Sequence, residues 1–383
     1  MIDDARGLDI ARARKARRWT QQQLADAAAI SLSLLTKIEQ GKRPATPEAL
    51  EAISRALGLP PTASTSRVHE AIPAIRAAVA ACDLPEDGPT RSLAALRSEV
   101  ERATALRLGT RYSELAVLLP SLMAELSRAV ALGRGAPRMA ASALFAMACR
   151  SADAVAFKHG YLDLAAHLVD VVRSASVESG DATLAAMAAY LRAETFLANR
   201  QLDAGARMLD QAMTEARPGH STEAMATYGT LHMRAAVLAA RAGRPDTARD
   251  HLTEAARVAR RVPEGVYHGT AFGPANVRVH EVAMAVELGD VATALKLSDR
   301  WTVPVVLPAE RRSHHHIDLA RAFVWAGRRE QALRSLVAAR RIAPQHTRES
   351  PLVRRTVAEL IDQHRTPPEA LLAFASWAGA TSA

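Results

Sequence analysis

Residues 20–41 read TQQQLADAAAISLSLLTKIEQG, and this stretch decides the fold of the amino-terminal part of the chain. Thr20 is followed three residues later by a glutamine, which is the pattern of a capping box at the start of a helix. Ser31 is a second N-cap, and Gly41 supplies a left-handed stop. The stretch therefore predicts two short helices that are joined by a tight turn of small residues.

Two further helices are expected around this pair. A charged segment from Asp9 to Arg18 predicts a first helix. Apolar residues at helical spacing between Leu50 and Leu57 predict a fourth helix, which begins near Pro47 and stops at Gly58. Residues 60–66, Pro-Pro-Thr-Ala-Ser-Thr-Ser, offer nothing to bury and predict a hinge.

The spacing of this unit carries a family resemblance. The pattern Thr20-Gln21-x-x-Leu24-Ala25-x-x-Ala28-x-Ile30-Ser31-x-x-x-Leu35-x-x-Ile38-Glu39-x-Gly41 resembles the Cro/C1-type helix-turn-helix of the xenobiotic-response-element regulators, over about residues 8–59. The resemblance implies that the helix after Ser31 lies in the major groove of duplex DNA. It implies these contacts: Gln21 and Ser31 at phosphates, Leu32, Ser33, Thr36 and Lys37 toward base edges, and Lys42 and Arg43 at phosphates beyond the helix.

Within that set, Lys37 is the candidate for a guanine contact and Leu32 for a thymine methyl group. Arg14 matches a family arginine that pairs internally with the glutamate matched by Glu39, so the resemblance implies a structural ion pair there. The sequence departs from the family at Arg18, where glycine is usual.

Composition and charge are consistent with a DNA-binding protein that is built from helices. Hydrophobic residues make up 49% of the 383 residues but aromatic residues only 4%, which favours helix packed on helix. The formal net charge of +9 favours a polyanionic partner. The remaining basic residues of the first helix either contact phosphate or form a solvated face: Arg12, Lys15, Arg17 and Arg18.

Beyond Pro137 the sequence repeats weakly. A small turn residue is followed by alanine five positions later, at intervals of about 38 to 46 residues. The pairs are Gly160 and Ala165, Asn199 and Ala204, Gly243 and Ala248, Gly289 and Ala294, and Gly327 and Ala332. They resemble tetratricopeptide-type helical hairpins, so we expect an all-α fold with an amino-terminal helix-turn-helix followed by a right-handed superhelix. The predicted divisions are 1–66 for the DNA-binding domain and hinge, 67–136 for a helical connector, and 137–383 for a sensor and oligomerisation domain.

A Cro-type domain before such an array resembles the peptide-binding quorum-sensing regulators. That resemblance implies a homodimer on double-stranded DNA and a signalling peptide or other small ligand in the concave groove. The first helices of the hairpins would turn six side chains toward that groove: Arg150, Thr230, Arg241, Asn276, His280 and Arg321. Asparagine can clamp an extended backbone and arginine can bind a carboxylate. The alternative for each is an ordinary solvated position.

The alternative function is an interaction protein whose array docks another protein while the DNA domain only localises the complex.

Other classes of site find no support in the sequence. His314, His315 and His316 are consecutive on a helix, so they point about 100° apart and cannot converge on one metal ion. We therefore expect exposed histidines at a helix start, and no metal. Cys82 and Cys149 predict two buried reduced thiols. The sequence offers no phosphate loop, no catalytic triad and no paired carboxylates. We expect no enzyme activity and no cofactor, no membrane span, and by default a cytoplasmic location.

Overall fold

The helix-turn-helix predicted at the amino terminus is present. A computed structural model describes residues 4–28, 30–43, 45, 49, 52–53, 56–57, 63–216 and 221–380, with the side chains of residues 4–9 and 63–66 excepted. Its first helices are α1 (Asp4–Ala16), α2 (Gln21–Ala27) and α3 (Leu32–Glu39). Most of the predicted fourth helix lies outside the described residues, including Pro47, Leu50 and Gly58. Ala49, Ile53 and Leu57 are buried in one core with Leu24, Leu35 and Ile38.

Both predicted caps form. The Thr20 hydroxyl accepts a hydrogen bond from the Gln23 backbone N–H at 3.1 Å, and the Gln23 side chain accepts one from the Thr20 N–H at 2.8 Å, which is the reciprocal capping box. The Ser31 hydroxyl accepts from the Leu34 N–H at 3.2 Å. Arg18 adopts a left-handed φ of 55°, which explains why glycine is usual at that family position.

The rest of the described chain is a helical array. Its helices are α4 (Ala63–Ala80), α5 (Leu93–Leu108), α6 (Tyr112–Leu132), α7 (Ala136–Lys158), α8 (Leu162–Ser179), α9 (Ala182–Ala198), α10 (Leu202–Glu215), α11 (Thr222–Arg241), α12 (Pro245–Ala259), α13 (Pro274–Glu287), α14 (Val291–Ser298), α15 (Ala309–Trp325), α16 (Arg329–Ile342), α17 (Pro344–Glu349), α18 (Pro351–Asp362) and α19 (Glu369–Ala378). The all-α fold with tandem helical hairpins is confirmed. The first of these helices begins at Ala63, inside the segment that the composition predicts as a hinge.

The hairpin turns share one geometry. In α7–α8 the residue two positions after the first helix, Gly160, has a φ of 86°, and the next N–H, that of Tyr161, donates back to the Ala156 carbonyl at 2.9 Å. This is a left-handed helix stop with a Schellman-type bond. The same arrangement closes α11–α12, α13–α14 and α15–α16.

One predicted pair is wrong by a residue. In α9–α10 the left-handed position belongs to Arg200, with a φ of 56°, and not to Asn199. The residue that packs at the fourth position of the following helix is then Gly205, not Ala204. A Cβ on Gly205 would lie 3.0 Å from the Phe196 Cβ, so the close approach of the two helices explains the small residue there.

The same turn also occurs inside the segment predicted as a connector. Thr110, two positions after α5, has a φ of 58°, and the Arg111 N–H donates to the Leu106 carbonyl at 2.8 Å. Helices α5 and α6 therefore form a hairpin of the same kind as those that follow. The sequence pattern missed it because threonine stands where four of the other turns have glycine.

The array contains one element that periodicity does not predict. Between α12 and α13 the chain forms a two-stranded antiparallel β-hairpin, β1 (Gly265–Tyr267) and β2 (Thr270–Phe272). Its turn is His268-Gly269, with φ values of 44° and 71°, as in a type I′ turn. Phe272 is fully buried between α11 and the helices around it.

A large core extends through α4 to α11. Helices α6 and α7 are long and apolar enough to cross a membrane, but half of the most apolar window of α6 and 72% of that of α7 are buried inside the fold. Packing in the core accounts for their composition. Both cysteines are free thiols, with Cys149 buried and Cys82 half-buried.

Candidate functional site

The predicted recognition helix, α3, presents a mixed surface to solvent. Leu32 is 39% exposed, although it is a large apolar side chain at the amino end of the helix. Ser33 and Lys37 are exposed and Thr36 is half-buried. Lys42 and Arg43 follow α3 and are exposed as well. An exposed apolar group beside hydroxyl and ammonium groups is suited to the edges of base pairs, and the two basic residues beyond it are suited to phosphates.

A buried ion pair supports this surface from behind. The Arg14 Nε and Nη2 donate to the two carboxylate oxygens of Glu39 at 2.8 and 2.9 Å. The exposed fractions of the two side chains are 10% and 4%. The Arg14 Nη1 also donates to the Trp19 carbonyl at 2.8 Å, so this arginine fixes the turn after α1 as well as α3. The expected internal pair is present.

Gln21 is also turned inward. Its side-chain amide donates to Glu39 at 2.7 Å, and its oxygen lies 3.5 Å from the Thr36 hydroxyl. A phosphate contact by the Gln21 side chain must therefore share or break these bonds. Burial raises the pKa of Glu39, but the hydrogen bonds from Arg14 and Gln21 outweigh burial and leave that pKa below its ordinary value.

A second polar site lies around the β-hairpin. Arg107, Arg150, Thr183 and Asn276 come from α5, α7, α9 and α13, the first helices of their hairpins, and we call the surface that they line the inner face. All four hold the β-hairpin. Arg150 donates to the His268 carbonyl and the Thr270 hydroxyl, and Arg107 donates to the Gly269 carbonyl.

Thr183 and Asn276 each form one further hydrogen bond with the β-hairpin. The Asn276 Nδ2 donates to the Ala271 carbonyl at 2.7 Å, and His268 Nε2 lies 2.7 Å from the Thr183 hydroxyl. Three carbonyls within four consecutive residues are therefore bound by side chains of the array. The inner face therefore binds the backbone carbonyls of a β-turn and of the strand that follows it, and this turn belongs to the same chain.

An apolar contact anchors the base of the β-hairpin. Phe272 packs on Gly229 of α11 so closely that a Cβ on that glycine would lie 2.1 Å from the ring. Thr230, the next residue, is 1% exposed, and its hydroxyl has no hydrogen-bond partner among the described residues. The absence of a side chain at Gly229 therefore leaves the space on α11 that this ring occupies.

The six residues predicted at a ligand groove separate into two groups. Arg150, Thr230 and Asn276 are buried at or beneath the β-hairpin, so the interpretation as solvated positions is wrong for them. Burial also lowers the pKa of His280 to about 3, and its Nδ1 lies 2.9 Å from the Asn276 carbonyl.

Arg241 and Arg321 form the second group. They both pair with Glu287, at 3.5 and 2.9 Å. Among the described residues, no hydrogen bond or ion pair joins Arg241 or Arg321 to the β-hairpin that Arg150 contacts. Binding of a ligand by any of the six stays a prediction.

The two arginines at the tip of the β-hairpin are unusual in their partners. Arg107 and Arg150 are 6% and 4% exposed, and the bonds described for them go to neutral oxygens. The Nε atoms of both have no partner among the described residues. Burial and the charge of Arg107 lower the pKa of Arg150 to about 9. The inner face can therefore accept a carboxylate or another anion at this point.

Sequence reasoning missed Arg107, Thr183 and His268 because it missed the β-hairpin. The signal was the dipeptide His268-Gly269 between short runs of β-forming residues, a pattern typical of a two-residue hairpin turn. A cavity of about 570 Å³ also lies beside the base of the β-hairpin, with Arg260, Glu264 and Val306 among its described lining residues. That lining does not include the six predicted groove residues.

The histidine tract differs from the expectation. Helix α15 begins at Ala309, so His314, His315 and His316 lie in its second turn and not at its start. His315 is 1% exposed and its ring lies 5.1 Å from that of Trp301. His314 and His316 are half-buried, so the expectation of exposed histidines is wrong for all three. His315 is the most buried because its helix face packs on the loop after α14.

Comparison with known proteins identifies the amino-terminal domain. The helix-turn-helix family model HTH_3 matches residues 10–63. These residues are therefore a Cro/C1-type helix-turn-helix, the DNA-binding module of a transcription regulator. A comparison with curated proteins gives no significant match.

Solved structures give distant likenesses. BtubC (BKLC) from P. vanneervenii is similar with a TM-score of 0.38 and 16% identity, over 65% of this chain and 91% of that chain. PlcR from Bacillus thuringiensis, solved in complex with the peptide PapR7 and DNA, is similar with a TM-score of 0.30 and 14% identity, over 67% of this chain and 94% of that chain.

Proposed function

We propose that this protein is a cytoplasmic transcription regulator that binds duplex DNA as a homodimer. We further propose that it responds to a small ligand, a peptide, which binds at the inner face of the array. The observation that carries the proposal is the set of bonds from Arg107, Arg150 and Asn276 to three backbone carbonyls of residues 268–271. Side chains that bind the backbone carbonyls of a turn in this chain can bind the carbonyls of a peptide that adopts a similar turn.

The DNA half of the proposal rests on α3. One helix-turn-helix reads one half-site, so two copies are needed for an operator with two half-sites about one helical turn, or roughly 34 Å, apart. In this assignment Leu32, Ser33, Thr36 and Lys37 face the bases, while Gln21, Ser31, Lys42 and Arg43 hold the phosphates.

The ligand half of the proposal requires an exchange. The β-hairpin fills the inner face, so a peptide binds there only when residues 266–271 leave it. Two buried arginines without a described carboxylate partner favour a ligand that brings an anionic group to the tip position. Ligand and β-hairpin then compete for the same donors, and the bound state differs from the free state in the position of the β-hairpin.

The experiment removes the tip of the β-hairpin from the chain and supplies the β-hairpin sequence as a free peptide. Residues 266–271 are replaced by a Gly-Ser linker in the full chain, and the variant is checked for helical content by circular dichroism. The probe is a fluorescent peptide of residues 264–273, EGVYHGTAFG. We expect it to bind the replacement variant and not the wild type. Arg150→Met in the replacement variant should weaken the peptide at least tenfold, and Arg249→Met, an exposed arginine elsewhere, should leave binding unchanged.

The DNA readout follows from the same proteins. An operator is selected from a random duplex pool with the wild type. The affinity and stoichiometry of the replacement variant on this operator are then measured with and without the peptide. Two chains per duplex and a peptide-dependent change in affinity support the proposal. If the opened variant ignores the peptide, or if Arg150→Met makes no difference, the inner face is not a peptide site and the array is better interpreted as a docking surface for another protein.

A further inference from the structure

Three metal-binding side chains converge in the carboxy-terminal part of the array. Glu310 and His314 lie one turn apart on α15, so they share a helix face, and His346 comes from α17. One ligand atom from each lies within 4.8 Å of the others. We call these three residues the Glu–His–His cluster. The consecutive histidines do not converge, but His314 meets a carboxylate one helical turn away and a histidine that is distant in the sequence.

The cluster is buried and incompletely paired. Glu310 and His346 are 7% and 4% exposed, and the rings of His314 and His346 lie 4.5 Å apart between centroids. The His346 Nε2 is buried and has no hydrogen-bond partner among the described residues. A buried imidazole nitrogen without a partner is costly, and in the tautomer that carries the proton on Nδ1 the Nε2 lone pair is free for a cation.

The surroundings of the cluster shift the pKa values of its three residues. Burial lowers the pKa of His346 to about 3 and that of His314 well below its ordinary value. Burial opposes ionisation of Glu310, but the charges of Lys158 and Arg311 outweigh it and hold the pKa of this carboxyl well below its usual range.

We propose that Glu310, His314 and His346 bind one zinc ion, with water as the fourth ligand. Two imidazoles and a carboxylate form a set that zinc accepts in tetrahedral geometry, whereas magnesium and calcium require mainly oxygen ligands. The ligand atoms must approach to about 2.0–2.2 Å from the ion, so the three side chains must draw together from separations of up to 4.8 Å.

One ion pair competes with the metal. The Lys158 Nζ lies 3.2 Å from the Glu310 Oε1, and the lysine side chain is 26% exposed. Lys158 lies at the end of α7 and can turn its ammonium group to solvent when zinc takes the carboxylate. Zinc and Lys158 are therefore alternative partners of Glu310.

The position of the cluster gives the ion a structural effect. Helix α17 is tied to α15 by the hydroxyls of Ser313 and Thr347 at 3.1 Å, and to α6 by Gln345, whose Nε2 donates to the Ser113 hydroxyl at 3.1 Å. The cluster thus lies where the carboxy-terminal helices meet α6 and α7. A zinc ion fastens α15 to α17 at this junction and releases the link from α7.

The test uses the untagged full chain, because a histidine tag binds zinc itself. Zinc uptake is measured by equilibrium dialysis and mass spectrometry, and Co²⁺ is used as an optical probe of tetrahedral coordination. We expect one zinc per chain, and a Co²⁺ spectrum that is lost in His314→Gln and His346→Gln. His316→Gln, a half-buried histidine of the same tract outside the cluster, should bind zinc like the wild type. Circular dichroism verifies that each variant is folded.

A second variant separates a metal site from a purely structural ion pair. Lys158→Met removes the competitor for Glu310, so we expect zinc affinity to rise by about tenfold, which corresponds to about 1.4 kcal/mol. A wild type without stoichiometric zinc, or cluster variants that retain it, would overturn the proposal. An affinity that falls in Lys158→Met would do so as well. The readout is independent of DNA and of any peptide, so the fate of the proposed function does not decide it.

Discussion

Arg14→Met tests the buried ion pair behind the recognition helix. The substitution keeps much of the apolar stem but leaves Glu39, which is 4% exposed at its side chain, without its counter-charge. Removing one partner of such a pair costs about 3–5 kcal/mol. Glu39 retains the hydrogen bond from Gln21 at 2.7 Å, so we expect the lower end, about 3 kcal/mol.

Hydrogen exchange in the full chain measures this loss where it occurs. A cost of about 3 kcal/mol corresponds to an increase of about 10²-fold in the opening equilibrium of residues 21–40. Arg17→Met, an exposed arginine just after α1, is the matched control and should leave protection unchanged. Arg14→Met combined with Glu39→Leu should recover most of the protection, because no charge then remains buried.

The same pair sets a dependence on pH. Since the pKa of Glu39 is lowered in the folded chain, its contribution is complete above the ordinary value of 4.5 and is lost as the pH falls through the folded value. Protection of residues 21–40 should fall with acid in the wild type and much less in the double variant. If Arg14→Met leaves protection intact while DNA affinity collapses, Arg14 belongs to the DNA-contacting surface and the reasoning is refuted.

Three further predictions concern DNA, the β-hairpin and a turn. Lys37→Ala should relax discrimination among operators, whereas Arg43→Ala should weaken all DNA about equally and reduce the slope of log K against log salt by about 1; equal effects on specificity would contradict these roles. Gly229→Ala should cost about 1–3 kcal/mol in thermal unfolding and speed exchange in residues 265–272, because its Cβ would collide with Phe272, and unchanged exchange there would argue against the anchor. Arg200→Gly should raise stability by up to about 1 kcal/mol, because it relieves a left-handed φ of 56°, and a loss of stability would show that the side chain matters more than the backbone.

Local patterns predicted what local forces determine. The caps at Thr20 and Ser31 and the left-handed turns at Gly160, Gly243 and Gly327 are visible in the sequence, because each depends on residues within one helical turn. The pattern failed where a residue with a Cβ takes the left-handed position. At Arg200 the same turn bond forms without a glycine, from the Gln201 N–H to the Phe196 carbonyl at 2.9 Å, so the residue type at the turn gives no signal.

The candidate sites were less predictable because they depend on convergence. Arg150 and Asn276 were predicted from the expected inner helices, but their occupant was not, since strands of three residues give no periodic signal. His314 was dismissed because its neighbours in the sequence cannot reach one ion. Its partners in the Glu–His–His cluster are one helical turn and 32 residues away, the latter brought close only by the packing of α17 on α15.

The bond between Ser113 and Gln345 joins residues 232 positions apart, and it sets limits on how this array can change in evolution and in folding. An open solenoid gains or loses a repeat at little cost, because each repeat touches only its neighbours. Here one extra hairpin would separate the two residues and break the junction, so we expect the number of repeats to be fixed. We also expect α6 and α17 to unfold in a single step. Folding should be slow, since a contact between residues so far apart in the sequence must form before the junction is stable.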